Sequence, residues 1–403
     1  MIQQPTLIYI GASLLQLPAI SWAKQQGLKV VVTDTNPNAP GVAMADDYRQ
    51  LNGSDVAGLM QLAQEIAAQD KLVGCYCGSD FGLAAVAAIA ARFDLPAASE
   101  AATALALDKS RAKALMQAAG VSVPRGECVA GLSELQTAVA ELGLPVIIKP
   151  VDSSGSRGVR TVSHLDQLPA ALMEAQKFST EVMVEQLVEG EHIDVNGLFV
   201  AGQFYPCGLL DRYFSPPPFN YPLWGCQPSA LSEAASAKVY ASVEAGARAL
   251  GIDAGPIKAD VIVCNQVPVI LEIAPRFHGD VSSSFVTPLA TNGQSASQAW
   301  FAHLAGQPFE ALLPRENTKR VAGWMAVFPD AAGEFVAIDG IDEASAVAGV
   351  KQISTLKKPG YRVDSVADNL AVMGFIWAVA ENRVALKQCL DLARQRLHVR
   401  MQM

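Results

Sequence analysis

The sequence predicts a chain that begins as α/β and ends as α+β. Three observations carry this. Apolar strand-like and helix-like segments alternate through the first hundred residues, which implies a parallel sheet covered on both faces. Strand pairs joined by short polar turns then dominate the middle, as in "IKADVIVCNQVPVILEIAPRF" (257–277). From about Pro314 onward, several short strands with glycine turns predict a small α+β or barrel-like unit. The chain has 403 residues, 51% of them hydrophobic and 17% charged, enough for two or three domains with substantial cores. The boundaries fall at 1–100, 101–313 and 314–403, with a lid subdomain at about 123–195 inside the second.

In the first unit, "TLIYI" is a strand, "GASLLQLPAISWAKQQG" a glycine turn and helix, and "KVVVTDTNPN" the next strand. A helix near "DVAGLMQLAQEIAAQ", the run "LVGCYC" and the helix "FGLAAVAAIAARF" complete the βαβαβα order. Gly11 alone opens the first turn, so a dinucleotide fingerprint is absent. Asp34 ends the second strand and reads as a turn residue. The apolar start imitates a signal peptide but lacks a basic leading segment, and Pro18 interrupts it. In the second unit, "DKSRAKALMQAAG" is a helix stopped by Gly120, "VSVPRGECV" a strand and "LSELQTAVAELG" a helix. "EVMVEQLVEGEHIDVNGLFVAGQFY" reads as strands around an acidic turn, and "EAASAKVYASVEAGARALG" as a long helix. "FSPPPFNYP" (214–222) is a rigid loop.

The net charge of −9 argues against a broad nucleic-acid or anionic-membrane surface, so any phosphate binding must be local. Seven scattered cysteines without framework spacing fit reduced thiols and a cytoplasmic setting, and with five histidines they form no paired zinc spacing. No run reaches the ~20 apolar residues a membrane span needs.

Two stretches carry chemistry. In "VIIKPVDSSGSRGVRTV" a lysine ends an apolar run and a Ser/Gly loop follows, before a second strand. The lysine precedes the glycines, unlike the common phosphate loop, so this is a hairpin whose tip is either ordinary or folds over a polyphosphate. In the pair "IKADVIVCN"/"PVILEIAPRF" each strand carries an acid, Asp260 and Glu272, which an antiparallel hairpin sets side by side. Two such carboxylates repel unless a cation lies between them, and Mg²⁺ meets that need. Arg276, four residues on, has the forked geometry to clamp a phosphoryl oxygen. A structural acid–arginine pair is the plainer alternative.

Taken in order, the lysine helix "LDKSRAK", the strand lysine before a glycine loop, "VEQLVEG", and the acid pair with its arginine resemble the ATP-grasp superfamily. The likeness is to its carboxylate–amine ligase and biotin-carboxylase-like branches, and "GEFVAIDGIDEASAVAGV" is similar to the C-terminal pattern of the latter. The resemblance implies ATP, with Lys109 and Lys149 on its phosphates and Ser153, Ser154, Gly155, Ser156 and Gly158 in a mobile loop over them. It implies that Glu185, Gln186, Leu187 and Val188 read the adenine and that Glu191 and His192 stand by the ribose. Asp260 and Glu272 would hold Mg²⁺, with Mn²⁺ as a substitute. Ala274 stands where many members have Asn, which removes one oxygen ligand. Arg276 and Lys149 take the catalytic roles.

The stretch "PRFHGDVSSSF" looks like the ligases that join small carboxylates to amines, making His278, Gly279, Asp280 and Ser283 candidates for substrate recognition; His278 as a packed core histidine is the alternative. Trp224 in "PLWGCQP" is a candidate apolar wall. The reaction implied is ATP-dependent amide formation between small, amino-acid-like metabolites through an acyl phosphate, releasing ADP and phosphate. A bicarbonate-using carboxylase and an inactive nucleotide-binding regulator are the alternatives. The partners implied are a small carboxylate and an amine; a homodimer is compatible with the resemblance.

Overall fold

A computed structural model describes residues 4–151, 157–278, 282–315, 320–366 and 369–402. Strands β1 (Pro5–Ile10), β2 (Lys29–Thr33), β3 (Asp47–Arg49) and β4 (Lys71–Cys77) form a parallel sheet in the order β3-β2-β1-β4. Helices α1 (Leu17–Gln25), α2 (Val56–Ala67) and α3 (Leu83–Phe93) cover it. The period of two along β1 divides its side chains between two cores. Leu7 and Tyr9 pack with Ala19, Ile20 and Trp300, whereas Ile8 and Ile10 pack with Leu59 and Ile89 on the other face. Burial on both faces explains why β1, β2 and β4 read as continuous apolar runs, whereas the polar edge strand β3 does not. Asp34 accepts from the N–H groups of Ala12 and Asn36 at 2.9 and 2.8 Å, and so ties down the turn.

Two helices follow, α4 (Glu100–Leu107) and α5 (Lys109–Ala118). The Asp108 carboxylate caps α5 by accepting from the N–H groups of Ser110 and Arg111, which fixes Lys109 at its first position. Next come β5 (Gly126–Val129), α6 (Leu132–Leu142), β6 (Val146–Pro150), β7 (Arg160–Val162), α7 (Leu168–Gln176) and β8 (Val182–Gln186). The four strands form an antiparallel sheet, β5-β8-β6-β7, with Leu135, Val139 and Leu172 of the helices buried against Val146, Ile148 and Val184. The strand expected over 121–129 starts only at Gly126; Pro124, without an N–H, stands before it. Lys149 and Arg160 lie on the two arms of the expected hairpin, and residues 152–156 at its tip are outside the described residues. Gly158 has φ +73°, and a Cβ there would lie 2.8 Å from Phe178 and 2.9 Å from Pro150, so glycine is required.

The largest sheet is antiparallel and eight-stranded. It takes β9 (Glu191–Val200), β10 (Gln203–Phe214), β11 (Pro222–Gln227), β12 (Gly255–Cys264) and β13 (Val267–Ala274) from the middle of the chain. Beyond residue 313 come β14 (Val321–Val327), β15 (Gly333–Asp339), β16 (Val350–Thr355), β17 (Arg362–Val363), β18 (Gly374–Ala380) and β19 (His398–Gln402). The order β13-β12-β9-β10-β11-β14-β18-β16 runs across that point without a break, through the β11–β14 pairing of Trp224 with Met325. Strands β17, β15 and β19 form a separate small sheet. Helix α8 (Glu233–Ala249) covers β13, with Val243 and Ala247 against Ile270 and Ile273. Among the described residues no helix is long and apolar enough to cross a membrane.

Candidate active site

One open cavity of about 720 Å³ lies where the parallel sheet, the β5–β8 sheet and the eight-stranded sheet meet. That size suits a small-molecule site. Its floor is set by strand register. Asp194 on β9 pairs with Asp260 on β12, and Asp260 pairs with Glu272 on β13, so three acids stand abreast across adjacent strands. Like charges so placed repel, and neighbouring cations answer them. The Lys258 ammonium bonds Glu272 and lies 3.1 Å from Asp260, and Arg212 Nε lies 3.1 Å from Asp194. Burial alone would raise the Glu272 pKa, but Lys258 and Lys109 hold it well below the usual carboxylate range. A register shift between Asp260 and Val261 lets the adjacent residues Leu271 and Glu272 both line the cavity.

Whether these acids suit a divalent cation is answered by their surroundings. Asp260 Oδ1 is buried with no hydrogen-bond partner among the described residues, and the Lys258 that pairs with Asp260 is shared with Glu272. An unpartnered carboxylate oxygen beside a second carboxylate fits Mg²⁺. The ring of His278 stands 3.5 Å from Asp260 and 3.8 Å from Asp194, so these three side chains also form a compact N/O cluster.

The lysines expected at the phosphates line the same cavity. Lys109 Nζ donates to the Val151 carbonyl at 3.2 Å, and Lys149 Nζ lies 2.6 Å from Glu185 Oε2. The other oxygen of Glu185 is bonded by Lys113, which the sequence reading missed. Lys113 follows Lys109 by four residues on α5, a spacing that puts both on one helix face and was a usable signal. Burial lowers the Lys149 pKa to about 8, with the like charge of Lys109 acting the same way.

On the same cavity Arg276 forms a two-pronged pair with Asp80, Nε to Oδ1 at 2.6 Å and Nη2 to Oδ2 at 3.0 Å. Burial opposes the charge on each, yet the pairing raises the Arg276 pKa and lowers that of Asp80. Asp80 follows the C-terminal end of β4, where open parallel sheets place ligand groups, a second signal passed over.

The remaining expected residues divide. Gln186, Leu187, Val188 and His192 line the cavity, and burial lowers the His192 pKa. Glu185 is buried and spends its side chain on the two lysines. Glu191 is exposed and Gly158 buried, and neither lines the cavity, although Val159 does. His278 lines it; its N–H donates to Asn196 Oδ1 at 2.9 Å, and its carbonyl accepts from Ser283 Oγ at 2.6 Å, so the Ser283 hydroxyl is spent on the His278 backbone. Trp224 stacks on Tyr213 at 4.0 Å, and Pro222 supplies this strand's part of the cavity wall. Ser153, Ser154, Gly155, Ser156, Gly279 and Asp280 lie outside the described residues.

Residues 114–202 match the family profile for the D-Ala–D-Ala ligase C-terminus, and residues 325–402 that for the L-amino acid ligase C-terminal domain 2. A D-alanine–D-alanine ligase of Gloeobacter violaceus is 32% identical over 226 residues, 53% of this chain and 69% of that protein. One from Aromatoleum aromaticum is 39% identical over 94 residues, where the chain spans 23% of its own length and only 30% of the relative's. The crystal structure of an L-amino acid ligase from Bacillus licheniformis superposes with a TM-score of 0.83 over 100% of both chains, at 20% identity, and shows the shared fold. With the lysines, the acid row and the arginine around one cavity, the chain belongs to the ATP-grasp superfamily, in the carboxylate–amine ligase family that includes the D-alanine–D-alanine ligases.

Proposed function

We propose that the protein is an ATP-dependent ligase that joins a small carboxylate to an amine on amino-acid-like metabolites, releasing ADP and phosphate. One observation carries the reading: a single cavity holds phosphate-type lysines, an acid row and a forked arginine. Such a cavity positions an anionic cosubstrate and a carboxylate together. The acid's carboxylate oxygen attacks the γ-phosphorus and the bond to the β-phosphate bridge oxygen breaks, giving an acyl phosphate and ADP. The amine nitrogen then attacks the acyl carbon, the C–O bond to phosphate breaks, and the amine proton passes to solvent.

Lys109 and Lys149 hold the phosphate tail, and residues 186–188 with His192 hold the nucleoside end. Asp260 and Glu272 would hold Mg²⁺, which when bound neutralises phosphate charge. Arg276, oriented by Asp80, holds the acid half, and Arg212 adds positive charge beside His278. A cytoplasmic setting belongs to the same reading and is supported by the seven free thiols.

The test is ADP formation across acid–amine pairs with Mg²⁺ or Mn²⁺, using a carboxylate labelled with ¹⁸O. Transfer of label into phosphate, dependent on both substrates, is expected. AMP with pyrophosphate, unlabelled phosphate, or turnover with bicarbonate and no acid–amine pair would overturn it.

A further inference from the structure

The cavity has an apolar wall that the chemistry above does not use. Leu15, Leu356, Val372 and Phe375 line it, and all four also belong to one core cluster around Trp324 and Trp377. That core is therefore open to the cavity on one side. Leu370 and Phe81 line the same cavity from the C-terminal and N-terminal parts of the chain and are 51% and 53% exposed. Large apolar side chains half exposed inside a concave site are covered by what binds there.

Charged groups line the same cavity. The Asp80–Arg276 pair lines the same space, and Lys357 adjoins Leu356, with its ammonium 4.0 Å from the Tyr361 ring centre. An acid, an arginine and a lysine around an apolar wall complement a zwitterion with an apolar side chain. They do not suit a hydrocarbon or a second nucleotide.

Resting on the ligase reading, we infer that one of the two substrates is an α-amino acid with a bulky apolar side chain. The side chain lies on the wall of Leu15, Leu356, Leu370, Val372 and Phe375. Its charged α-groups face Asp80, Arg276 and Lys357. Leu370 and Lys357, which lie beyond residue 313, are then specificity-determining residues.

Calorimetry on the full chain, with Mg²⁺ and a non-hydrolysable ATP analogue, compares L-leucine, L-methionine and L-phenylalanine with L-serine and L-asparagine. Phosphate release is measured with the same amino acids offered as acid and as amine. Apolar amino acids should bind and turn over at least about ten-fold better than serine, the discrimination a few buried methylenes provide. Leu370→Asp, at a half-exposed position, should erase most of that preference, with its melting temperature as the folding control. Equal or better use of serine and asparagine, or an unchanged preference in Leu370→Asp, would overturn the pocket and leave the ligase reading standing. Leucine binding without ADP formation from any pair would remove the ligase reading and keep the pocket. Neither binding nor turnover would remove both.

Discussion

Glu185 is the anion between two buried ammonium groups, and replacing it should have a cost that a second substitution partly restores. Each of its oxygens takes one lysine, Lys113 on Oε1 and Lys149 on Oε2, and all three side chains are nearly buried. Glu185→Met leaves the lysines facing each other across the space of one carboxylate. With both charged, about 4 Å apart at an effective dielectric of about 20, they repel by about 4 kcal/mol, in line with the roughly 3–5 kcal/mol cost of breaking a buried pair. Burial already lowers the pKa of both lysines, so loss of one proton caps this cost. Lys113→Met alone keeps Glu185 neutralised by Lys149 and loses one charged hydrogen bond, about 1.5–3 kcal/mol. Independent effects would add to roughly 5–8 kcal/mol. The double variant, however, removes the repulsion and should be more stable than Glu185→Met. Urea unfolding of the four proteins without nucleotide measures this. A double variant less stable than Glu185→Met would refute the reasoning.

Other outcomes follow from the same geometry. Glu272→Ala should keep the fold and lower turnover by on the order of 10³-fold or more, read from ADP release alongside circular dichroism. Arg276→Lys should bind ATP nearly normally but lose ligation, because lysine cannot reproduce the two-pronged pair with Asp80; Asp80→Asn should raise the apparent KM for the acid more than that for ATP. Lys149, lowered to about 8, binds phosphate when charged, so the KM for ATP should rise as pH passes 8. The stability effect has the opposite sign: between about 8 and the ordinary lysine value near 10.4 the unfolded chain holds a proton the folded chain has lost, so this group's contribution grows with pH. A flat KM profile from pH 7 to 9.5 would show that Lys149 does not meet the phosphates.

Local order made the first half of the fold readable. Strands β1, β2 and β4 show in the sequence because strands buried on both faces must be apolar throughout, and the β12–β13 hairpin because its acids interrupt such runs at matching places; the polar edge strand β3 gave no such signal. What pairs at long range was not readable. Lys258 lies two residues before Asp260 and so on the same face, but nothing local says that its ammonium serves Glu272 as well. Asp80 and Arg276 are 196 residues apart and meet only after the sheets assemble. Asp194 looks like any strand acid until the β9–β12 register sets it beside Asp260. Trp224 was misplaced for a similar reason: alternation tells two faces apart but not which one a stacking partner such as Tyr213 will take.

The unbroken β11–β14 pairing bears on how this architecture can diversify. Gly323 sits so near the Gly225 carbonyl that a Cβ there would fall 2.5 Å from it, so the crossing tolerates no side chain at that position. Exchange of the final ninety residues between relatives must therefore preserve this contact. A productive recombinant needs parents that share this glycine seam, or a breakpoint that carries both strands together. Variation in the specificity wall is then expected through point changes in the segments around Leu356 and Leu370 rather than by shuffling whole carboxyl-terminal segments.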